Sequence, residues 1–345
     1  MTSVKEFRIE REPTDDALGA GSFLFTDAYS VFDWGQMPDP IPDKGASLCT
    51  MGAHNFESLE REGVPTHYRG VVADHVETAG EPIPLSAADE PSRELAIELT
   101  RVPELPHAGR EYDYDAYHAA AGENYLIPLE IVFRNRVPVG SSLRRRTEPA
   151  DHGLEFDEWP DEPIELAEPI VEFSTKYEES DRYLTTEEAD EIAGLASIEK
   201  LTEIAEAVNR TITEQARDAN LTHEDGKIEC LYFRGDIRIA DVCGTFDENR
   251  FSYEGQQLSK EVIRQHHKRT QPGWVEAVEA AKEEAKRLNV ADWRTLCERT
   301  PEPLAPEVIA LARDLYTSGT NAYTGTRWFD APAIGDVVGR VRSLR

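Results

Sequence analysis

The chain has 345 residues, enough for two average domains or one large α/β unit, and its 67 Asp and Glu against 37 Lys and Arg leave a formal net charge of −30. This acidic excess argues against a general nucleic-acid-binding protein and against docking on anionic membranes, because both need a positive surface. The 12 Phe, 12 Tyr and 5 Trp residues indicate a folded chain rather than a disordered acidic one.

The first part of the chain reads as short strands between loops. Residues 21–25 and 94–100 have strand patterns, the second with apolar residues at alternate positions. Apolar residues recur at helical spacing over 46–62, and Gly63 then ends that helix. Two segments rich in Pro, Asp, Glu and Gly, 103–124 and 147–168, are predicted to be long surface loops.

The second part is predicted to be richer in helices. Thr185 or Thr186 is expected to cap a short helix. The remaining predicted elements are strands at 125–134 and 169–173, a helix at 197–218, a β-hairpin of 227–233 and 236–242 joined through Arg234-Gly235, and helices from 259 onward with a break near 300–301.

Arginines cluster in an otherwise acidic chain between residues 134 and 146. The members are Arg134, Arg136, Arg144, Arg145 and Arg146. One interpretation is a pocket for a phosphate or carboxylate, since guanidinium groups bind such oxyanions bidentately, and Gly140-Ser141 would allow close backbone approach and offer a hydroxyl. The alternative is a solvated basic edge that balances the acidic surface.

The predicted hairpin carries Lys227, Glu229 and Asp241, residue types that suit a Mg²⁺–nucleotide site. A three-residue loop, with Phe233 opposite Ile237, would place Glu229 opposite Asp241. A two-residue loop would instead pair Glu229 with Ala240 and turn Asp241 to the opposite face of the hairpin. The alternative to a metal site is that Glu229 and Asp241 are simply two exposed members of the 67 acidic residues of the chain.

Several common motifs are absent from the sequence. It has no P-loop, no GxGxxG, no HExxH and no GxSxG. The tandem His266-His267 falls on a predicted helix, where adjacent residues do not share a face, so we do not expect a two-histidine metal site there.

The cellular setting is also predicted from composition. Cys49, Cys230, Cys243 and Cys297 form neither a CxxC pair nor zinc-finger spacing, so we expect buried thiols in a reducing compartment. The sequence shows neither a signal peptide nor a run of about 18 apolar residues, which predicts a cytoplasmic protein. Only nine basic residues are Lys, and the many carboxylates are typical of a halophilic protein; an ordinary acidic protein is the alternative.

Several segments together resemble one family, the phosphoribosylaminoimidazole-succinocarboxamide synthases (SAICAR synthetases) of purine biosynthesis. The strand at 126–141, LIPLEIVFRNRVPVGS, is the most specific of them, because it matches the family's Pro-Leu-Glu strand that ends in Arg and Gly-Ser. The other matching segments are 26–35, 41–47, 60–67, 171–185, 225–230, 240–242, 246–250 and 303–325.

The chain departs from the family pattern at several places. The family's Asp-Glu after the second hairpin strand is Asp241-Val242 here, and its Asp-Phe-Lys-Leu-Glu-Phe reads Asp225-Gly226-Lys227-Ile228-Glu229-Cys230. The family's Gly-Lys-x-Lys near the N-terminus holds ATP phosphates, whereas residues 4–11 offer only Lys5, Arg8 and Arg11 in other positions. One additional residue lies before Gly140, so the resemblance leaves open whether Arg134 or Arg136 is the arginine that binds the ribotide.

The resemblance implies an α/β (α+β) fold in which two subdomains flank an ATP and substrate cleft, similar to ATP-grasp ligases and kinases, with a helical C-terminal part. The implied division is a mainly β nucleotide-binding part at 1–124, a central α/β part at 125–270 and a helical part at 271–345. The implied reaction joins carboxyaminoimidazole ribotide to L-aspartate with ATP and Mg²⁺, and releases the succinocarboxamide, ADP and phosphate.

The resemblance also implies the partners and the site residues. The partners are these small molecules, without nucleic acid or membrane, and the oligomeric state is left open. Alternatives are another ATP-dependent ligase, a small-molecule kinase or an inactive nucleotide-binding regulator. The implied residues are Lys176 and Lys227 for catalysis; Asp27, Ser30, Arg134, Ser141, Asp181, Asp247 and Arg250 for substrate; Lys44, Lys227 and Lys260 for nucleotide; and Glu229 and Asp241 for metal.

Overall fold

An antiparallel four-stranded sheet with a helix against it forms the N-terminal part of the computed structural model, which describes residues 4–72, 81–109, 111–178, 181–290 and 292–344. The strands lie in the order β1-β2-β4-β3, and the helix α1 packs against the sheet through apolar residues that include Leu48, Met51 and Phe56. These elements are β1 (Lys5–Arg11), β2 (Gly19–Phe25), α1 (Lys44–Arg61), β3 (Tyr68–Val72) and β4 (Glu94–Leu99).

The N-terminal strand predictions at 21–25 and 94–100 are confirmed, and the helix predicted at 46–62 begins two residues earlier. That early start depends on Gly45. A Cβ atom at this position would lie 2.5 Å from the carbonyl oxygen of Phe25 and 2.8 Å from that of Thr26, so only glycine lets the helix start this close to the end of β2.

A seven-stranded sheet forms the central part of the molecule and is organised around one long strand, β10. The first half of β10 pairs with β8 and β12, and its second half pairs with β7 and β11. The strands are β7 (Asn124–Leu126), β8 (Leu129–Val137), β9 (Ile164–Thr175), β10 (Thr222–Phe233), β11 (Asp236–Ala240), β12 (Asn249–Tyr253) and β13 (Gln256–Gln257).

One edge of β10 therefore changes partner along its length. Pairing with β12 stops at Gly226, and pairing with β11 starts at Glu229. The loop 241–248, which joins β11 to β12, leaves the sheet at this gap. The consequence is that the polar residues of that loop lie beside Lys227 and Glu229.

Helices cover the central sheet and form the C-terminal part. Helix α5 packs on β8, β9 and β10 through its predicted apolar stripe, and α8 packs on α1. Thr185 caps α4 in a capping box with Glu188, as predicted. The helices are α4 (Thr186–Ala193), α5 (Ile198–Asp218), α6 (Glu261–Thr270), α7 (Pro272–Leu288), α8 (Pro306–Thr324) and α9 (Ile334–Ser343), with the predicted break before α8 and a 3₁₀ turn at Trp293–Leu296.

Both segments predicted to be long loops contain regular structure. The first, 103–124, holds β5 (His107–Ala108), β6 (Glu111–Tyr112) and α2 (Tyr114–Ala121). Its helix starts where the side chain of Asp113 accepts a hydrogen bond from the amide of Ala116.

The second segment, 147–168, ends inside β9, which begins at Ile164 rather than at 169. A small apolar cluster of Val137, Leu143 and Ile164 stabilises this extension, and the helix α3 (Leu143–Arg146) packs there. A 3₁₀ turn at Pro149–His152 lies in the same segment.

Cys49, Cys230 and Cys243 are buried as expected, whereas Cys297 is half-buried, and all four are free thiols. None of the helices in the described part of the chain combines the length and apolarity needed to cross a bilayer.

Candidate active site

The gap along β10 opens into a cleft of about 260 Å³ whose wall is dense in charged side chains. Strand alternation puts Asp225, Lys227 and Glu229 on one face of β10. The charged residues that line the cleft are Glu130, Arg134, Asp181, Asp225, Lys227, Asp247, Glu248, Arg250, Lys260, Glu261 and Arg264.

A larger depression of about 550 Å³ lies beside β5, β6 and α2, away from this gap. Its described wall holds the acids Glu111, Asp113, Asp115 and Glu191 and neither Lys nor Arg. Such a wall repels anions, so we place the site in the smaller cleft.

The hairpin turn decides between the two predicted registers. Phe233 pairs with Asp236 across the two-residue turn Arg234-Gly235, and Glu229 pairs with Ala240, so the three-residue alternative is wrong. Strand alternation alone would then turn Asp241 away from Glu229. However, β11 ends at Ala240, and Asp241 has a φ of 58°, a left-handed conformation that Asp tolerates better than most residues.

This turn brings the carboxylate of Asp241 within electrostatic reach of Glu229. Burial and then the negative charge of Asp241 raise the pKa of Glu229. Burial alone would raise the pKa of Asp241, but the charge and hydrogen bond of Lys5 hold that pKa at about 2. A ring nitrogen of His67 lies 2.9 Å from the carbonyl oxygen of Asp241 and supports the turn.

Two further lysines surround Glu229. The ammonium group of Lys176 forms an ion pair with Glu229. That of Lys227 lies 2.6 Å from Glu130, 3.5 Å from Glu248 and 3.8 Å from Glu229. Burial lowers the pKa of Lys227, but these carboxylates outweigh it and raise the pKa well above its ordinary value. Lys227 is therefore a fixed cation, not a general base.

Counting charges shows that the group can accept a metal cation. The carboxylates of Glu130, Glu229, Asp241 and Glu248 face three ammonium groups, those of Lys5, Lys176 and Lys227, which leaves one negative charge in excess. The described residues contain no set of three or more metal-ligating side chains close enough to hold an ion together. Glu229 and Asp241 stay the predicted Mg²⁺ ligands, since this ion can take as few as one or two carboxylates and complete its shell with phosphate oxygens and water.

Arg134 is the arginine of the cluster that reaches the cleft. Its side chain is only 5% exposed, and it donates to Glu172 at 2.7 Å, to Asp225 at 3.4 Å and to the hydroxyl of Tyr183 at 3.2 Å. A guanidinium group has five N–H donors, so two remain for a ligand. Arg250, from β12, makes a two-point contact with the same Asp225 and also lines the cleft.

The other members of the arginine cluster do not form the predicted phosphate pocket, and this corrects the interpretation of the cluster as one site. Arg144 donates to the carbonyl oxygens of Val137, Pro160 and Glu162, and its guanidinium lies over the ring of Trp159. Arg136 lies 3.8 Å from Glu224 and does not line the cleft. Arg144 therefore bonds the carbonyl oxygens of the surrounding loop and does not line the cleft.

Lys44 is fully buried, so it meets Asp247 rather than a ligand directly. Its ammonium lies 2.7 Å from one oxygen of Asp247, while the hydroxyl of Tyr316 donates to the other oxygen at 2.7 Å. Burial raises the pKa of Asp247, but Lys44 and then Lys260 outweigh it and hold that pKa at about 2. Asp247 therefore stays ionised on the cleft wall.

The remaining predicted residues divide between the cleft and the scaffold. Asp181 and Lys260 line the cleft, whereas Asp27, Ser30 and Ser141 do not. Asp27 accepts from Arg93 and from the amide of Gly45 at the start of α1. Ser141 accepts from the amide of Leu143. His267 contacts the hydroxyl of Tyr29 at 3.1 Å, a structural role within the core.

Sequence reasoning missed five residues that shape the site. They are Lys5, Glu130, Tyr183, Glu248 and Tyr316. Lys5 carried one detectable signal, because lysine is scarce in this chain, with nine residues, and Lys5 lies in the same N-terminal segment as the lysine motif of the family, although in another position. Residues 179–180, within the resembling segment 171–185, lie outside the described residues.

Comparisons with known proteins find similar sequences over most of the chain. Residues 14–281 match the family model described as SAICAR synthetase. A protein of Archaeoglobus fulgidus, named as a candidate phosphoribosylaminoimidazole-succinocarboxamide synthase, is 39% identical over 100% of this chain and 99% of its own length.

Solved structures show a similar fold. The Saccharomyces cerevisiae SAICAR synthase complexed with SAICAR is 20% identical, with a TM-score of 0.61 over 95% of this chain and 94% of its own. A type-2 SAICAR synthetase in complex with ADP is 24% identical, with a TM-score of 0.53 over 88% of this chain and 99% of its own.

Proposed function

The chain belongs to the SAICAR synthetase family, and from that premise we propose that it is the ATP-dependent ligase that joins carboxyaminoimidazole ribotide to L-aspartate in purine biosynthesis, releasing ADP and phosphate. The observation that carries the proposal is the cleft along β10. Its wall holds two arginines with spare donors and Lys227, and Lys227 lies 3.8 Å from Glu229, a member of the carboxylate pair with lysine counterions.

Arg134 and Arg250 are proposed to bind the phosphorylated sugar of the ribotide. Both are held by Asp225, which fixes their planes while leaving N–H groups directed at the cleft. Asp181 and Asp247 are proposed to accept hydrogen bonds from the substrate. Ser30 and Ser141 stay predictions, and Asp27 is proposed to act indirectly by holding the start of α1 beside Lys44.

The nucleotide phosphates are proposed to lie beside Glu229 and Asp241. Mg²⁺ bound there would neutralise phosphate charge, and Lys5, Lys176 and Lys227 would supply the remaining positive charge. Lys5 takes the place of the missing N-terminal lysine motif in this proposal. Lys44 is fully buried, so we propose that it contributes to nucleotide binding only by holding Asp247.

The chemistry needs positioning and charge more than proton transfer by lysine. A carboxylate acylates poorly, so the ribotide carboxylate is proposed to attack the γ-phosphorus first, with ADP as the leaving group. The amine of aspartate then attacks the acyl carbon, and phosphate leaves. Lys176 and Lys227 stabilise the negative charge of both steps as fixed cations, consistent with the raised pKa of Lys227.

Lys260 is proposed to bind an anionic substrate group. It lines the cleft, and within the described residues it makes no ion pair, unlike the arginines around it. The nucleotide is the predicted ligand, and a carboxylate of aspartate is the other anion that this free ammonium would suit. The Michaelis constants of a Lys260→Ala variant distinguish the two ligands. A higher constant for ATP would mean that Lys260 binds the nucleotide, and a higher constant for aspartate would mean that it binds the amino acid.

The proposal is tested by the dependence of ADP release on each substrate. ADP release that needs both the ribotide and aspartate, with formation of the succinocarboxamide and loss of turnover when EDTA removes Mg²⁺, supports the ligase. Release with the ribotide alone would indicate a kinase, and ATP binding without turnover would indicate a regulator.

The setting of this activity is also proposed. We propose that the enzyme works in the cytoplasm and at high salt, given the net charge of −30. The division into residues 1–124, 125–270 and 271–345 remains a prediction.

A further inference from the structure

Arg146, the last member of the arginine cluster, contacts two of the residues that hold Arg134. Its guanidinium carbon lies 3.4 Å from the centroid of the Tyr183 ring, and one of its nitrogens donates to Glu172 at 2.9 Å. Tyr183 and Glu172 each also accept a hydrogen bond from Arg134. Arg146 itself is not part of the cleft wall.

We propose that Arg146 is a positioning residue for recognition of the phosphorylated sugar, because it clamps Tyr183 and Glu172 and thereby aims Arg134 into the cleft. The identity of the ligand rests on the proposed function. The clamp itself rests only on these contacts and on the place of Arg134 in the cleft wall.

The clamp matters because the direction of Arg134 depends on its acceptors. A guanidinium is rigid and planar, so a small rotation about its bonds to Glu172 and Tyr183 redirects both spare N–H groups at once. Tyr183 pairs with the central sheet through a single isolated bridge, to Ser174, and the guanidinium of Arg146 covers its ring. Backbone hydrogen bonds of Arg182 with Thr175 and of Leu184 with Phe173 hold this segment to β9, while the side chain of Tyr183 is contacted by Arg146 on its ring and by Arg134 at its hydroxyl.

Arg146 also sets the charge at this end of the cleft. The network contains Arg134, Arg146 and Arg250 against Glu172 and Asp225, which leaves one positive charge in excess. Removal of Arg146 would make the network neutral, with two arginines against two carboxylates. An anionic ligand bound by Arg134 and Arg250 would then lose the attraction of that one charge.

Steady-state kinetics of three variants test the clamp, after the wild type has been shown to turn over. We expect Arg146→Ala to raise the ribotide Michaelis constant about 3- to 30-fold, because the variant loses a cation–π contact together with its charge. The Michaelis constants for ATP and aspartate should stay unchanged. Arg146→Lys keeps the charge but not the planar stacking, so we expect partial recovery.

Arg145→Ala is the matched control, because Arg145 is the exposed neighbour with the same charge and without an ion pair among the described residues. Equal ribotide constants in the Arg145 and Arg146 variants would overturn the proposal. So would a parallel rise of all three Michaelis constants with a lower melting temperature, since that pattern indicates general loosening.

A binding experiment separates failure of the clamp from failure of the proposed function. If the wild type does not catalyse the ligase reaction, calorimetric titration with ribose 5-phosphate still probes Arg134. Weaker binding by Arg146→Ala than by Arg145→Ala supports the clamp, and equal binding contradicts it. In either assay, the double variant Tyr183→Leu, Arg146→Ala should lose no more ribotide or ribose 5-phosphate affinity than the stronger single variant, because the two residues act as one unit. Additive losses of affinity would contradict the clamp.

Discussion

At the scale of single residues, Arg134 and Arg136 show how little spacing alone says about a side chain's role. They lie two positions apart on β8, which in a regular strand would put them on one face. The pairing of β8 with β9 is irregular between them, however, with Arg134 opposite Ile170 and Arg136 opposite Glu165. This break separates an arginine on the cleft wall from one whose ion-pair partner among the described residues is Glu224, at 3.8 Å.

The residue prediction follows from that difference. Arg134→Ala should raise the ribotide Michaelis constant roughly 10- to 150-fold, the equivalent of losing a charge-assisted contact of about 1.5 to 3 kcal/mol. Arg136→Ala should leave it nearly unchanged. Because the first variant removes one of the two arginines that each of Glu172 and Asp225 contacts, Arg134→Lys is measured beside it, with the melting temperature of each. A larger effect at Arg136 would transfer the role to that residue.

At the scale of elements, the site forms where β10 changes partner and where α8 reaches it. The loop 241–248 supplies Asp241 and Asp247, and α8, which lies near the C-terminal end of the chain, supplies the hydroxyl of Tyr316 to Asp247. Lys44, at the start of α1, contacts the same carboxylate, so two helices, α1 and α8, both hold Asp247 on the cleft wall. The C-terminal helical part thus contributes to the site as well as to the fold.

We expect Tyr316→Phe to lower kcat/KM for the ribotide about tenfold, because Asp247 loses one of the two donors that orient it. Tyr323→Phe is the matched control on the same helix. Its hydroxyl donates to the buried Asn55 at 2.8 Å, so its removal should cost similar stability without loss of activity. Equal losses of activity in both variants would mean that α8 acts only as scaffold.

At the scale of the whole molecule, the excess of carboxylates over cations sets the response to salt that we expect. Surface ion pairs such as Lys200–Glu203 and Lys286–Glu283 are exposed, and each contributes about 0–1 kcal/mol at most. The repulsion expected from a net charge of −30 acts over the whole surface and opposes folding. Salt weakens both effects, and we expect relief of the repulsion to dominate.

Thermal unfolding at low and high salt tests this balance. The Debye length falls from about 10 Å at 0.1 M to about 3 Å at 1 M salt, so the melting temperature and the activity should both rise between about 0.1 M and about 2 M KCl. An equal or lower midpoint in the high-salt sample would remove the halophilic proposal and leave the ligase proposal intact.

Local patterns in the sequence determined much of the fold. The stripe of α5, the helix near 46–62 and a helix cap at Thr185 or Thr186 depend on residues within a few positions of one another. The local pattern also located the hairpin at Arg234-Gly235, but it did not decide between a two-residue and a three-residue loop. The resemblance to the family likewise identified the hairpin segments and the strand at 126–141 that carries Arg134 and Arg136. Short or exposed strands such as β1, whose residues after Lys5 are all exposed, lack this signal and were not predicted.

Only the tertiary structure decided which of those residues meet. Asp241 approaches Glu229 because its left-handed backbone leaves the strand at the gap in β10, and a spacing argument alone turned it away. Lys5 reaches Asp241 across 236 positions, and Tyr316 reaches Asp247 across 69. Periodicity reports which face of its own element a residue occupies, whereas a site made from several elements depends on how those faces are packed together.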